Sequence, residues 1–265
     1  MDLQIRDRVA IITGASGGMG WATAQILAGE GVKLVLSDIK TGELKREAEK
    51  LGIDAIAVKA DMTKQSDVDA LVAEAVGRFG KVDIVVHTSG ITGAKGDPLE
   101  MTDEDYEEAF RVDFLSAVHI ARAAIPLMKK GGWGRFVAVA SENTVQPYWE
   151  EATYNTAKAA LAAFMKGVSY KAAADGVLVN TVAPAFIATP MTDEMMEKRA
   201  KERGESFDEA IQSFLREERP GIVQQRRGKA EEVAAVIALL VSERASFVNG
   251  ANYRVDGGSV QAVGN

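Results

Sequence analysis

The chain has 265 residues, 47% of them hydrophobic and 26% charged, with its glycines scattered rather than massed, which describes an ordinary globular protein with ample material for a core. A formal charge of -7 and the absence of any long basic run leave no electrostatic footprint for a phosphate backbone, so no nucleic-acid partner is expected. The lack of cysteine excludes disulfides and thiolate metal sites and suits a reducing compartment.

The N-terminus, Met1 to Arg6, has neither the basic nor the apolar region of an export signal. The longest apolar run, Val233 to Val241, is far short of a membrane span, so the expectation is a cytoplasmic protein with no membrane and no metal site. The first β-branched run, Val9 to Ile12, leads into a helical pattern over Ala22 to Leu27, a second strand at Leu34 to Leu36 and a second helix over Leu44 to Leu51. This is a βαβ unit, and it continues. Strands are predicted at Ala55 to Val58, Ile84 to Val86, Phe136 to Val139, Leu178 to Val182 and Tyr253 to Val255, with helical stretches in nearly every gap. Strands separated by helices pair in parallel with helices on both faces, so the fold class is α/β, a doubly wound parallel sheet in one domain spanning residues 1–265. Residues 190–227, rich in Glu, Lys, Arg and Met, break the rhythm before the last helix and read as a helical insertion. It is either a solvated decoration or a lid over a site at the carboxyl ends of the strands.

Directly after the first strand comes Thr13-Gly14-Ala15-Ser16-Gly17-Gly18-Met19-Gly20, opening a helix at Trp21. In that context glycines let the chain turn tightly and bring backbone N–H groups to a pyrophosphate, which the positive end of the helix further stabilises. Glycines alone merely make turns. The added signal is Asp38, at the end of the second strand, where a carboxylate accepts hydrogen bonds from adenosine ribose hydroxyls and repels a 2′-phosphate. Lys40 stands close by, but the balance favours NAD over NADP.

Tyr154-Asn155-Thr156-Ala157-Lys158 begins the helical run Ala157 to Met165 and sets Tyr154 and Lys158 four apart on one face. A nearby ammonium stabilises phenolate and moves a phenol, of ordinary pKa about 10, toward proton exchange with a substrate oxygen. Alone, such a pair is usually an exposed surface pair. Here Ser141 lies thirteen residues earlier, just past a predicted strand.

The glycine loop, Asp61 after the third strand, Ser141, the Tyr154/Lys158 pair and Asn180-Thr181-Val182-Ala183-Pro184 together resemble the short-chain dehydrogenase/reductase family over essentially the whole chain. The resemblance implies an enzyme that interconverts a secondary alcohol and a ketone by hydride transfer with a nicotinamide dinucleotide. It implies Tyr154 as general acid/base, Ser141 as the group that hydrogen-bonds and polarises the reacting oxygen, and Lys158 as the residue that depresses the tyrosine pKa and binds the nicotinamide ribose. It places Asp61 and Met62 at adenine, Ser89 and Gly90 beside the adenosine half, and Ile187 and Thr189, following Pro184, at the nicotinamide carboxamide. It also implies a homotetramer, for which Val233 to Val241 and Phe247 to Val255 offer apolar surface unless they are core.

Three departures from the family pattern stand out. His87-Thr88-Ser89-Gly90 replaces the usual Asn-Asn-Ala-Gly, and His87 reads as a hydrogen-bonded structural residue. Pro184-Ala185 replaces Pro-Gly. Asp113 stands where the family has a catalytic asparagine, whose main-chain carbonyl, exposed at a helix irregularity, is thought to hold a water on the lysine. If that role transfers, the carboxylate of Asp113 is expected to be exposed or solvent-bridged and of small electrostatic weight. Candidates for lining the substrate pocket are Glu142, Asn143, Gln146, Trp149, Phe186, Met191 and Met195, a mixture suited to a small or medium apolar alcohol or ketone with a polar handle. A 3-oxoacyl thioester, a polyol and a cyclic alcohol all fit that description. Competing readings are an NADP-dependent 3-oxoacyl thioester reductase, a non-catalytic redox sensor of the same fold, and a methyltransferase, which shares only the first βαβ.

Overall fold

The computed structural model describes residues 1–263. The chain runs β1 (Val9–Thr13), α1 (Gly18–Gly29), β2 (Lys33–Asp38), α2 (Gly42–Lys50), β3 (Ala55–Lys59), α3 (Gln65–Phe79) and β4 (Ile84–His87). It continues through α4 (Asp103–Ala109), α5 (Ser116–Gly131), β5 (Gly134–Val139), α6 (Ala152–Ala172) and β6 (Val177–Pro184). The last elements are β7 (Ile187–Ala188), α7 (Pro190–Arg203), α8 (Phe207–Glu217), β8 (Gly228–Lys229), α9 (Ala230–Leu240) and β9 (Asn252–Val255). Every predicted strand is present, lengthened by one to three residues.

Seven of these strands form one parallel sheet in the order β3-β2-β1-β4-β5-β6-β9. The inner strands are buried along their whole length, which is why they read as continuous β-branched runs. Successive side chains serve opposite faces. Ala10, Ile12, Leu36 and Val86 pack toward one layer with Leu27 of α1 and Val233 and Ile237 of α9. Ile11, Val35, Val85 and Phe136 pack toward the other, with Leu71 of α3, Ile120 of α5 and Leu161 of α6. Each fully buried large aliphatic side chain in these layers stabilises the fold by about 1.5–3 kcal/mol of transfer free energy. The apolar run Val233 to Val241 therefore belongs largely to the core of the single chain, whereas Phe247 is fully exposed.

The strand order reverses beside β1: the chain moves outward to β2 and β3, then returns to place β4 on the other side. At such a switch point the loops leaving neighbouring strands diverge and open a crevice at their carboxyl ends. The glycine loop after β1 and the segment from Thr88 to Gly90 after β4 flank that crevice.

The insertion is a built element. Its ends are pinned by a two-stranded parallel ladder, Ile187 opposite Gly228 and Ala188 opposite Lys229. α7 starts with a capping box between Thr189 and Thr192 and with Pro190 in its first turn, and α8 starts with one between Ser206 and Glu209. Phe186, Met196, Phe214, Leu215 and Ile222 give this segment a small core of its own.

Candidate active site

The glycine loop is shaped by close approach. Gly14 has φ +64°, and a Cβ there would lie 2.8 Å from Thr88 Oγ1 and 2.9 Å from Ser89 N. A Cβ on Gly20 would lie 2.5 Å from Gly14 O. α1 begins after Gly17 with neither a side-chain cap nor an acidic residue in its first turn, so its leading N–H groups are left for a ligand. Asp38, at the end of β2, turns its carboxylate toward the loop and accepts from Ser16 N at 3.1 Å. Asp61 is held below the usual carboxylate range chiefly by the Thr63 hydroxyl, 2.6 Å away, helped by Thr63 N and Lys64 and opposed by partial burial.

A groove of about 500 Å³ runs across this surface, and it is lined by Gly14, Ser16, Gly17, Gly18, Met19, Gly20, Asp38, Asp61, Met62, Ser89, Gly90 and Thr189. Its size, its bare helix N-terminus and its terminal carboxylate fit a dinucleotide. A Cβ on Gly18 would approach Thr189 Cγ2 to 3.2 Å, so a larger residue would narrow the passage where the groove meets the insertion. The groove opens into a second cavity of about 150 Å³ lined by Asp113, Ser141, Tyr154, Lys158, Pro184 and Ile187. Met19, Gly90 and Thr189 border both.

Tyr154 and Lys158 lie one turn apart on α6, which begins at Ala152, earlier than the apolar run suggested. Lys158 is buried, donates to the Val139 carbonyl at 3.1 Å, and stands 5.6 Å from the centre of the Tyr154 ring. Its second partner is Asp113 Oδ1 at 3.3 Å. Asp113 occupies a π-helical turn, Phe110–Leu115, between α4 and α5, which is the expected helix irregularity. Its carboxylate, however, is neither exposed nor solvent-bridged. It has no accessible surface, its Oδ1 accepts from Ile91 N at 3.1 Å, and Oδ2 has no hydrogen-bond partner among the described residues. Gly90 makes room for it, since a Cβ there would fall 2.5 Å from Asp113 Oδ1 and 3.2 Å from Lys158 Nζ.

This pair changes the electrostatics expected at Tyr154. Burial alone would lower the Lys158 pKa, but Asp113 and then Tyr154 outweigh it and hold the ammonium above its ordinary range. Burial pushes the Tyr154 phenol up; Lys158 pulls it down, and Asp113 pushes it up again. The net shift is upward, so the depression expected from Lys158 alone is not what this protein holds.

Ser141 follows β5 and is buried. Glu142, Asn143, Phe186, Met191 and Met195 line the cavity as expected, but Gln146 is not part of its lining, and Trp149 points to solvent with 66% of its surface exposed. Sequence reasoning missed Lys95, Glu151 and Arg219, which bring charge to the same wall. Only Glu151 carried a signal, lying three residues before Tyr154. Lys95 and Arg219 arrive from distant loops.

The family described as enoyl-(acyl carrier protein) reductase matches residues 14–260. The chain belongs to the short-chain dehydrogenase/reductase family. It is 32% identical to the uncharacterized oxidoreductase YvrD of Bacillus subtilis over 99% of this chain and 100% of that one. It is 29% identical to the D-beta-hydroxybutyrate dehydrogenase of Rhizobium meliloti, over 95% of this chain and 98% of that protein. Among solved structures, L-sorbose reductase from Gluconobacter frateurii, in complex with NADPH and L-sorbose, superposes with a TM-score of 0.93 at 33% identity, covering 99% of this chain and 100% of that chain. As a short-chain dehydrogenase/reductase, the protein is an oxidoreductase of nicotinamide dinucleotides that acts on alcohol or keto groups. Among the described residues no helix is long and apolar enough to cross a membrane.

Proposed function

We propose that this protein is an NAD-dependent dehydrogenase/reductase interconverting a secondary alcohol and its ketone, with Tyr154 as general acid/base. The observation that carries the reading is the opening of the dinucleotide groove onto Ser141, Tyr154 and Lys158, side chains that share one small cavity at the sheet's switch point.

The free N–H groups of Gly18 and Met19 at the start of α1 would hold the pyrophosphate, Asp38 the adenosine ribose, Lys158 the nicotinamide ribose, and Ile187 and Thr189 the carboxamide. Bound there, the nicotinamide supplies or accepts a hydride at the substrate carbon. Tyr154 takes the carbinol proton during oxidation and returns one to the carbonyl oxygen during reduction. Ser141 fixes that oxygen, and Lys158, countered by Asp113, holds positive charge beside the phenol. Phe186, Phe214, Met191 and Met195 give the cavity apolar walls, while Asn143, Glu151 and Arg219 give it polar ones. That combination favours a small substrate carrying hydroxyls besides the reacting one, and the L-sorbose relative supports it.

Asp38 supports NAD, because its carboxylate would face a 2′-phosphate at the loop. The sorbose reductase complex with NADPH favours NADP as the second reading. A panel of secondary alcohols and polyols, followed by cofactor reduction with NAD and then NADP, tests both. The expected result is a higher kcat/KM with NAD, narrowed by Asp38→Ala; equal or better use of NADP sinks the NAD assignment. The exposed Phe247 and the family's habit support a homotetramer in the cytoplasm, and sedimentation as a monomer would refute the assembly.

A further inference from the structure

Lys95 reaches the cavity on an irregular loop that is pinned to the start of α6 on either side of it. The Thr153 hydroxyl donates to the Ala94 carbonyl at 3.0 Å, and Gly96 N donates to the Glu150 carbonyl at 3.0 Å. Just before them, Gly93 has φ +66°, and a Cβ there would lie 2.7 Å from Thr153 Oγ1, so the loop seats this closely because the residue is glycine. Lys95 is thus held on the cavity wall. Its Nζ donates to Glu151 Oε1 at 2.6 Å and lies 3.8 Å from Met195 Sδ, while 36% of its side chain stays exposed.

Glu151 is fixed from behind. Its Oε1 also accepts from Arg219 Nη2 at 2.8 Å, and its Oε2 accepts from Asn143 Nδ2 at 2.8 Å. Arg219 is buried, stacks 3.5 Å from the centre of the Tyr148 ring and commits Nη1 to the Glu218 carbonyl. Burial opposes the charge of Glu151, yet Arg219 and Lys95 hold it below the usual carboxylate range. A carboxylate has about four lone-pair directions, and an ammonium has three N–H donors. Counted over the described residues, Glu151 Oε2 keeps a place for one more donor, and beyond Glu151 the Lys95 ammonium meets only a distant thioether. An open acceptor and an open donor therefore stand side by side on the wall of the cavity that holds Ser141 and Tyr154. The Asn143 amide spans the distance between them and the serine, with Oδ1 2.9 Å from Ser141 Oγ.

We propose that Lys95 and Glu151 form a subsite for a substrate hydroxyl beyond the reacting carbon, and that this pair sets the specificity of the enzyme. The hydroxyl donates to Glu151 Oε2 and accepts from Lys95 Nζ, which matches both open places with one group. A methylene strips both of water and offers neither a partner. A carboxylate suits Lys95 but brings its charge against Glu151. The assignment rests on the alcohol/ketone reading above and narrows it to polyols in preference to plain secondary alkanols of the same length.

The test is the ratio of kcat/KM for the better of mannitol and sorbitol to that for 2-hexanol, alcohols of equal carbon count. The native chain should favour the hexitol. Lys95→Met keeps a long side chain beside Met195 and should lower the ratio by about ten- to hundredfold, the size of one hydrogen bond to a charged group. Lys95→Arg keeps the charge and the donors and should retain most of the preference. A native preference for 2-hexanol overturns the proposal, and so does a ratio that Lys95→Met leaves unmoved. Better use of 2-hydroxyhexanoate than of either hexitol, lost in Lys95→Met, would make Lys95 an anion anchor and overturn it too. A chain that turns over no alcohol with either dinucleotide defeats the proposed function instead, and the subsite is then read by saturation-transfer NMR. Saturation should pass from the native chain to the hexitols and not from Lys95→Met. No transfer from the native chain overturns the subsite.

Discussion

The His87 imidazole at the end of β4 lies 2.8 Å from Thr13 Oγ1 at the end of β1, and its other nitrogen lies 3.0 Å from Ser116 Oγ. It is a buried strut between sheet and α5, as its sequence context suggested, and burial, with Lys158 adding to it, lowers its pKa to about 3. The unfolded chain thus binds a proton at this residue between its ordinary pKa and about 3, while the folded chain does not. The stability that follows is complete above the ordinary histidine range and is lost as pH falls through the window below it. From pH 7 to pH 5 this histidine should account for about 2 kcal/mol of lost stability. His87→Asn, which keeps a short polar side chain, is expected to flatten that slope in denaturant titrations at the two pH values. A slope unchanged in the variant refutes the assignment.

Tyr154→Phe removes the acid/base hydroxyl while leaving the groove intact. Turnover should fall by about 10²- to 10⁴-fold with dinucleotide affinity nearly unchanged, measured by steady-state kinetics and calorimetry. Lys158→Ala should weaken both, because the same ammonium serves the phenol and the ribose. It also strands Asp113 as an unpaired buried carboxylate, so its melting temperature should drop. Pairing it with Asp113→Asn should recover stability without recovering activity. Unchanged cofactor affinity in Lys158→Ala removes the ribose role.

The insertion should close on ligand. α7 and α8 are tied mainly to one another, through Arg199 to Glu217 and Glu218 and through their own small core. Arg219 and Lys95 reach from loops to Glu151 on the cavity wall. Hydrogen exchange across residues 190–227 is expected to slow when dinucleotide and substrate bind. Identical protection in the two states would make the segment a solvated decoration.

The fold was legible because its signals are local. β-branched runs alternating with helical periods specify a parallel sheet, and the inner strands need no neighbour to announce that both faces are buried. The site was legible wherever a motif sits on one element: the loop after β1, the end of β2, the turn of α6. What stayed hidden was tertiary. Nothing in Arg111-Val112-Asp113-Phe114 says that a π turn points Asp113 inward onto Lys158, 45 residues later in the chain. Nothing around Arg219 says that its guanidinium ends 2.8 Å from Glu151. Trp149 failed in the opposite sense, since its size suggested a pocket wall and its place in a short turn before α6 leaves it in solvent.

Asp113→Asn removes the buried charge beside Lys158 and restores the residue that the family resemblance leads one to expect at this position. The asparagine oxygen can still accept from Ile91 N, and the main-chain carbonyl of the π turn survives the change, so the fold of the turn and any proton path through that carbonyl remain. Plateau activity should stay within about tenfold of the native chain. The pH profile should not stay. Asp113 raises both Lys158 and Tyr154, so its removal lets both pKa values fall. Alcohol oxidation requires Tyr154 without its proton, and its rate declines as pH drops through the phenol pKa; a lower pKa therefore carries that limb to lower pH. Ketone reduction, which needs the proton, should lose activity at lower pH than in the native chain. Lys158 keeps the Val139 carbonyl but loses its counter-ion, so the melting temperature should fall as well. A loss of about 10²-fold or more at every pH, with the fold intact, would make the carboxylate itself a catalytic group. An unmoved profile would mean that its charge does not reach Tyr154.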